Sequence, residues 1–166
     1  MSEGDAQTGM LATAWAVHHV GISVADLDAA LKFWEAFLGA PARWRARLDR
    51  PYLAAIVGIA NVSIDAAFLD LPGGVVLELL DYHSAVRRPN PEATPNPGNV
   101  HVCLAVRDAD VAWARAVECG ARPVRPEGPM DIDAGPNIGA RGAYMRIHDG
   151  VTLELFQPPP NRGDRI

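Results

Sequence analysis

The chain repeats itself, and this internal repeat limits the folds that it can adopt more than any other feature. The segment "HVGISVADLD" (19–28) aligns with "HVCLAVRDAD" (101–110). Further on, "AAFLDLPGGVVLELL" (66–80) aligns with "GAYMRIHDGVTLELF" (142–156). Both matches occur in the same order, and each places a polar residue at an equivalent position. The sequence therefore predicts two copies of one structural unit.

Each copy has the pattern of a strand, an amphipathic helix, a less regular strand and a hairpin. An aspartate precedes each predicted helix and a glycine follows it, as expected for helix ends. We therefore expect an α+β fold of two tandem βαβββ modules, spanning residues 15–83 and 100–159. A proline-rich linker (84–99) is expected between them, with a disordered tail at 1–14 and a second tail at 160–166.

Composition argues against several kinds of partner. The net charge of −5 argues against nucleic acid or an anionic membrane as the main partner. Cys103 and Cys119 are the only cysteines and form no CxxC motif, which predicts reduced thiols in a cytoplasmic protein. The opening "MSEGDAQTGMLAT" does not resemble a signal peptide, and the longest apolar stretch (52–62) is too short to span a bilayer.

Strand periodicity places four polar residues on the side of the sheets that the helices leave open. His19 and His101 alternate with apolar residues in their strands, and Glu78 and Glu154 alternate with leucines in theirs. The wholly apolar face of each sheet must be the one beneath the helix. Two imidazoles and two carboxylates suit a divalent transition metal, so we interpret these residues as metal ligands. Taken singly, each could instead be a hydrogen-bonded histidine or a solvent-facing glutamate.

These segments, with "HHVGISVADLDAALKFWEAFLGA" and "GGVVLELLDY", resemble the vicinal oxygen chelate superfamily. Its members include glyoxalase I, bleomycin resistance protein, methylmalonyl-CoA epimerase, extradiol dioxygenases and fosfomycin-resistance proteins. The resemblance covers roughly Trp15 to Pro159 and implies a cup-shaped mixed sheet around one divalent ion (Zn, Ni, Co or Mn). It implies a homodimer and the ligands His19, Glu78, His101 and Glu154. This ligand set is that of glyoxalase I-like members, whereas the opening stretch is closer to epimerase-like members, which usually have glutamine in place of Glu78.

The resemblance implies a redox-neutral, metal-dependent lyase or isomerase of glyoxalase I or epimerase type, acting on a carbonyl-containing small molecule. Glu154 is predicted as the general base and Glu78 as its counterpart. Tyr52, Tyr144 and Arg146 are predicted to contact the substrate. Alternatives are an antibiotic-binding resistance protein or a secondary-metabolism enzyme. An iron-dependent extradiol dioxygenase is less favoured because such enzymes have no carboxylate where Glu78 stands.

The sequence does not decide how the cup closes or what its two irregular segments form. The cup can close within one chain or between modules of two chains. The apolar insertion at 50–63 and the glycine-rich segment at 128–142 are candidate lids, although the first could instead be a helix packed on the body or on another subunit. His18 is expected as a structural residue, and His83 and His148 as exposed residues near turns.

Overall fold

The computed structural model describes residues 16–83, 86–89 and 94–160. The predicted N-terminal tail, parts of the linker and the C-terminal tail beyond Pro160 lie outside these residues. The described chain contains two separate sheets. The helix that follows the first strand of each sheet packs on that sheet. No helix in these three ranges is long and apolar enough to cross a membrane.

The first module contains four strands and two helices. In chain order these are β1 (His19–Ser23), α1 (Leu27–Leu38), β2 (Trp44–Leu48), α2 (Pro51–Val57), β3 (Ile64–Asp70) and β4 (Val76–Tyr82). The strands are ordered β1-β4-β3-β2 in the sheet. Strand β1 runs parallel to β4, and the other pairs are antiparallel.

The second module repeats this plan. Its elements are β5 (His101–Ala105), α3 (Ala109–Glu118), β6 (Arg122–Pro123), β7 (Met130–Asp131), β8 (Arg141–Arg146) and β9 (Thr152–Gln157). The sheet order is β5-β9-β8-β6, and β7 also pairs with β8. Strand β5 is parallel to β9, as β1 is to β4. The predicted α+β fold with duplicated βαβββ topology is confirmed.

Each module's main helix begins at the predicted aspartate. The Asp26 side chain accepts a hydrogen bond from the backbone N–H of Ala29 at the start of α1. Asp108 does the same for Asp110 and Val111 at the start of α3. These bonds satisfy backbone donors that have no partner within the first turn of a helix. The two caps fix where the chain leaves β1 and β5 and turns back along the sheet.

One hydrophobic core joins the two modules. Leucines on the helix side of both sheets, including Leu77 and Leu153, are completely buried in it together with Trp34 of α1. Polar contacts also cross between the modules. The Arg115 guanidinium of α3 donates to the carbonyl oxygen of Phe37 at the end of α1, with a nitrogen–oxygen distance of 2.7 Å. The modules therefore stabilise each other through their helical sides.

His148 is buried at this junction, so its prediction as an exposed turn residue is wrong. The Trp34 indole donates to its Nε2 at 2.8 Å, and only 10% of the side chain is exposed. Burial lowers the pKa of His148, which favours the neutral imidazole that accepts this bond. His83 is exposed as predicted, and its Nε2 lies 2.9 Å from an oxygen of Asp65.

The apolar insertion in the first module forms α2 and packs on the open face of the first sheet. Leu53 of α2 contacts a cluster that includes Ile64 and Ala66 of β3. These strand residues lie on the same face as Glu78, because Ala66 is opposite Leu80 and Phe68 is opposite Glu78. The packed-helix alternative therefore describes this segment, and the helix forms a wall on the face that carries the candidate ligands.

Candidate functional site

The first sheet brings His19 and Glu78 together on its open face. The parallel register places Gly21 beside Glu78, one step along the face from His19. As a result, His19 Nε2 lies 3.2 Å from Glu78 Oε2. His18 Nδ1 lies 2.8 Å from His19 Nδ1, so a hydrogen bond between the two rings orients His19. The Nε2 atom of His19 therefore faces the carboxylate.

The surroundings of Glu78 are apolar. Phe68 on β3 is directly opposite Glu78, and the Trp44 ring lies 4.8 Å from the Phe68 ring. A Cβ added at Gly21 would lie 3.7 Å from Glu78 Oε2, in ordinary van der Waals contact, so Gly21 borders the carboxylate. Glu78 thus has an imidazole on one side and aromatic carbon on another.

The second sheet brings His101 and Glu154 together in the same way, with His101 Nε2 2.9 Å from Glu154 Oε2. Here the neighbours are polar. Cys103 on β5 and Tyr144 on β8 are both directly opposite Glu154. The Tyr144 ring also lies 5.3 Å from the His101 ring. Tyr144, which the sequence predicts as a substrate contact, is therefore part of this pair's surroundings.

Both neighbours of Glu154 are held in their protonated forms. Burial raises the pKa of Cys103 to about 12, with a further increase from the Glu154 charge. Burial raises the pKa of Tyr144, and the Glu154 charge adds to this. The protonated Cys103 thiol therefore lies beside the Glu154 carboxylate. The sequence did not predict this neighbour of Glu154, because only the β5–β9 register shows which residue Cys103 meets.

The two His–Glu pairs do not form one cluster within a single chain. Within residues 16–83, 86–89 and 94–160, no group of three or more His, Cys, Asp or Glu side chains is arranged to hold a metal ion. Each sheet offers one imidazole nitrogen and one carboxylate oxygen. These donor types fit a divalent transition metal, but each pair supplies only half of the predicted set.

The edges of β1 and β5 border a cavity of about 930 Å³. Its lining includes Val20 and Ile22 from β1, Val102 from β5 and Arg88 from the linker. Strands β1 and β5 are each at the edge of their sheet, and each carries one of the candidate histidines. In the part of the chain that the structure describes, these two edges are not paired with each other.

The remaining predicted substrate contacts lie apart from each other. Tyr52 is on α2 and is 57% exposed. Arg146 is near the end of β8, on the same face as Tyr144, and its guanidinium contacts Thr152. Thus Arg146 and Tyr144 accompany the second His–Glu pair, while Tyr52 belongs to the wall over the first sheet.

Sequence comparison identifies related proteins over most of the chain. The family model described as "Glyoxalase/Bleomycin resistance protein/Dioxygenase superfamily" matches residues 18–139. A 2-epi-5-epi-valiolone epimerase from Actinomyces sp. is 32% identical over 151 residues, which cover 88% of this chain and 81% of the relative.

Solved structures with the same fold are more distant in sequence. A glyoxalase family protein from Bacillus cereus superposes with a TM-score of 0.71 at 22% identity, covering 86% of this chain and 93% of that one. The trypanothione-dependent glyoxalase I of Leishmania major gives a TM-score of 0.55 at 18% identity, with 87% of each chain covered. At these identities the similarity concerns the fold alone.

Proposed function

This chain belongs to the glyoxalase/bleomycin resistance protein/dioxygenase superfamily, and we propose that it is a metal-dependent, redox-neutral epimerase or isomerase of a carbonyl-containing small molecule. The relative at 32% identity is an epimerase, which favours this class over the others in the superfamily. The observation that carries the proposal is the duplicated His–Glu pair, which places one carboxylate on the open face of each sheet.

Two carboxylates from equivalent positions suit an epimerisation. Inversion of a carbon next to a carbonyl requires that a proton leave from one side and return to the other. Glu154 takes the proton as general base, and Glu78 in its protonated form returns one from the opposite side. In the reverse direction the two glutamates exchange roles.

His19, Glu78, His101 and Glu154 would hold the divalent ion before substrate binds, and a glutamate that exchanges a proton with the substrate would no longer be its ligand. When bound, this ion would polarise the carbonyl and stabilise the negative charge that develops as the proton leaves. Neighbouring protein residues position the ligating side chains. The contact of His18 with His19 restricts the His19 ring before substrate arrives, and the protonated Cys103 thiol lies beside Glu154.

The complete site is assembled between two copies of the chain. Each chain has two separated half-sites, and a homodimer joins the His19–Glu78 half of one copy to the His101–Glu154 half of the other. A two-fold dimer contains two such sites, each with one carboxylate from each protomer.

Deuterium incorporation tests the proposed reaction. The protein, supplied with zinc, nickel, cobalt or manganese, is incubated in deuterated water with 2-epi-5-epi-valiolone, methylglyoxal hemithioacetal or methylmalonyl-CoA. NMR should show deuterium next to the carbonyl of one substrate. Glu154→Gln and Glu78→Gln should each lower the rate by about a hundredfold or more. Asp70→Asn is the matched control, because Asp70 lies on the same open face in an ion pair with Arg43. Exchange at the wild-type rate in both glutamine variants would refute the proposed roles.

Complementation tests the assembly between chains. One variant combines His19→Ala with Glu78→Gln, and the other combines His101→Ala with Glu154→Gln. Co-expression with two affinity tags isolates mixed dimers, in which one of the two sites has all four native residues. Such dimers should recover about half of the wild-type rate. Inactive mixed dimers, or a protein that yields no species with both tags, would contradict assembly between chains.

Metal analysis separates this proposal from its alternatives. Zinc, nickel, cobalt or manganese at one ion per protomer supports it. Iron accompanied by oxygen uptake would instead indicate a dioxygenase. A protein that binds an antibiotic tightly without metal would indicate a sequestering role.

A further inference from the structure

One row of side chains crosses the open face of the second sheet. Thr152 on β9 lies opposite His101 on β5 and opposite Arg146 on β8, so the three residues follow one another across the strands. Glu154 and Tyr144 form the next row on the same face. Since neighbouring strands are about 4.8 Å apart, Arg146 lies one strand away from the line of Glu154.

Two hydroxyl groups hold the Arg146 guanidinium. One terminal nitrogen donates to Thr152 Oγ1 and the other to Thr94 Oγ1. Thr152 is only 1% exposed, and Arg146 itself is half-buried. Because an arginine has five N–H donors, these bonds fix the orientation of the group and leave further donors for a ligand.

The charge of Arg146 has no counterion in the described part of the chain. Four other arginines on or next to strands pair with carboxylates, whereas Arg146 contacts neutral hydroxyls. These pairs are Arg43–Asp70, Arg45–Asp28, Arg47–Asp65 and Arg141–Asp131. A half-buried guanidinium that is oriented by neutral hydroxyls is suited to bind an anion from outside the chain, because a charge-assisted bond would then supply the missing partner.

The repeat shows that the fold itself does not require this arrangement. With the offset that aligns the two hairpins, Asp70 stands at the position of Arg146 and Val76 at that of Thr152. In the first sheet Asp70 is neutralised by Arg43 at 3.0 Å, and Val76 is buried. The cation and its hydroxyl support are therefore particular to the second module.

We propose that Arg146, Thr152 and Thr94 form an oxyanion subsite, and that the ligand of this face carries a carboxylate or phosphate group. This inference rests on the proposed function only in identifying that ligand with the substrate. The subsite is one strand from Glu154, so the anion would be several bonds from the carbon that loses its proton. Arg146 would thus fix which way round the substrate lies between the two unlike half-sites.

Calorimetry with two simple probes tests the subsite without turnover. Inorganic phosphate and acetate are titrated separately into metal-free wild-type protein, Arg146→Met, Thr152→Val and Arg45→Met. Arg45 provides a matched control, because it is also a strand arginine but pairs with Asp28 on the helix side of the first sheet. Thr152→Val keeps the Arg146 charge and replaces the Thr152 hydroxyl by a methyl group. Valine is the native residue at the equivalent position 76. Thermal unfolding checks that each variant is folded.

We expect saturable binding of at least one anion to the wild-type protein, weakened about tenfold in Arg146→Met and by a smaller factor in Thr152→Val. Arg45→Met should bind as the wild type does. Binding of phosphate alone or acetate alone supports the subsite and identifies its anion. The inference is overturned if neither probe binds at about 20 mM, or if Arg146→Met and Arg45→Met bind equally. Deuterium exchange at the wild-type rate in the glutamate variants would refute the proposed function but would not change this binding result, so the two proposals fail separately.

Discussion

Replacing His148 by glutamine should remove an acid-sensitive contact between the modules. In the folded chain, His148 Nε2 accepts the indole hydrogen bond of Trp34, so this nitrogen must be unprotonated. Burial lowers the pKa of His148 below its ordinary value of 6.5, while the hydrogen bond and charge of Asp149 oppose this. A glutamine can offer an amide oxygen to the indole but does not titrate.

The direction of the pH dependence follows from the pKa of His148 in the unfolded chain and its lower pKa in the folded chain. As the pH falls below about 6.5, the unfolded chain takes up a proton at His148 while the folded chain does not. The free energy of unfolding therefore falls by up to about 1.4 kcal/mol per pH unit, until the pH reaches the lower pKa of the folded state. Above pH 6.5 this residue contributes no pH dependence.

Urea unfolding followed by circular dichroism from about pH 5 to 8 measures this difference. Relative to the wild type, His148→Gln should gain stability as the pH falls and show a constant offset above about pH 7. Trp34→Phe is the companion variant. It leaves the buried acceptor without its donor and creates a void, at a combined cost of about 2–4 kcal/mol. Parallel pH profiles for the wild type and His148→Gln would refute the assigned protonation state.

Three further substitutions test how the modules and α2 are held, all by chemical denaturation. Arg115→Met should cost about 1–2 kcal/mol through loss of its bonds to the last carbonyls of α1, whereas the exposed pair removed by Arg45→Met should cost less than about 1 kcal/mol. Equal costs would contradict the capping role. Asp81→Asn should cost about 1–3 kcal/mol, because Asp81 is buried and lies 2.6 Å from an Arg87 nitrogen. No loss would show that this pair is dispensable. Leu53→Ala should cost about 2–4 kcal/mol and speed amide exchange across residues 51–63, and unchanged exchange there would contradict packing of α2 on the sheet.

Local sequence patterns predicted the fold because the repeat and the strand alternation agree with each other. Because the two segments share one topology, the alternation of leucines around Glu78 shows which side chains of each strand face the core and which face away from it. The position of His148 could not be inferred in this way. A turn sequence gives no information on which distant helix packs against it, and the bond to Trp34 spans 114 residues along the chain.

The candidate site was predictable as two halves but not as a whole. Alternation within a strand places His19 and Glu78, or His101 and Glu154, on one face, and the register then brings each pair together. No period-two pattern describes how one sheet lies relative to another, so the sequence left open whether the two pairs meet within one chain or between two chains. The ligand assignment of the four residues stays a prediction.

The contacts between α1 and the second module have a consequence for inheritance. Trp34 and His148 come from different halves of the gene, as do Arg115 and Phe37, yet each contact needs both members. Recombination that replaced one half with that of a distant relative would separate these partners and leave the buried indole or imidazole unmatched. Selection must therefore act on the two duplicated halves as a matched set, even where their outer surfaces have diverged.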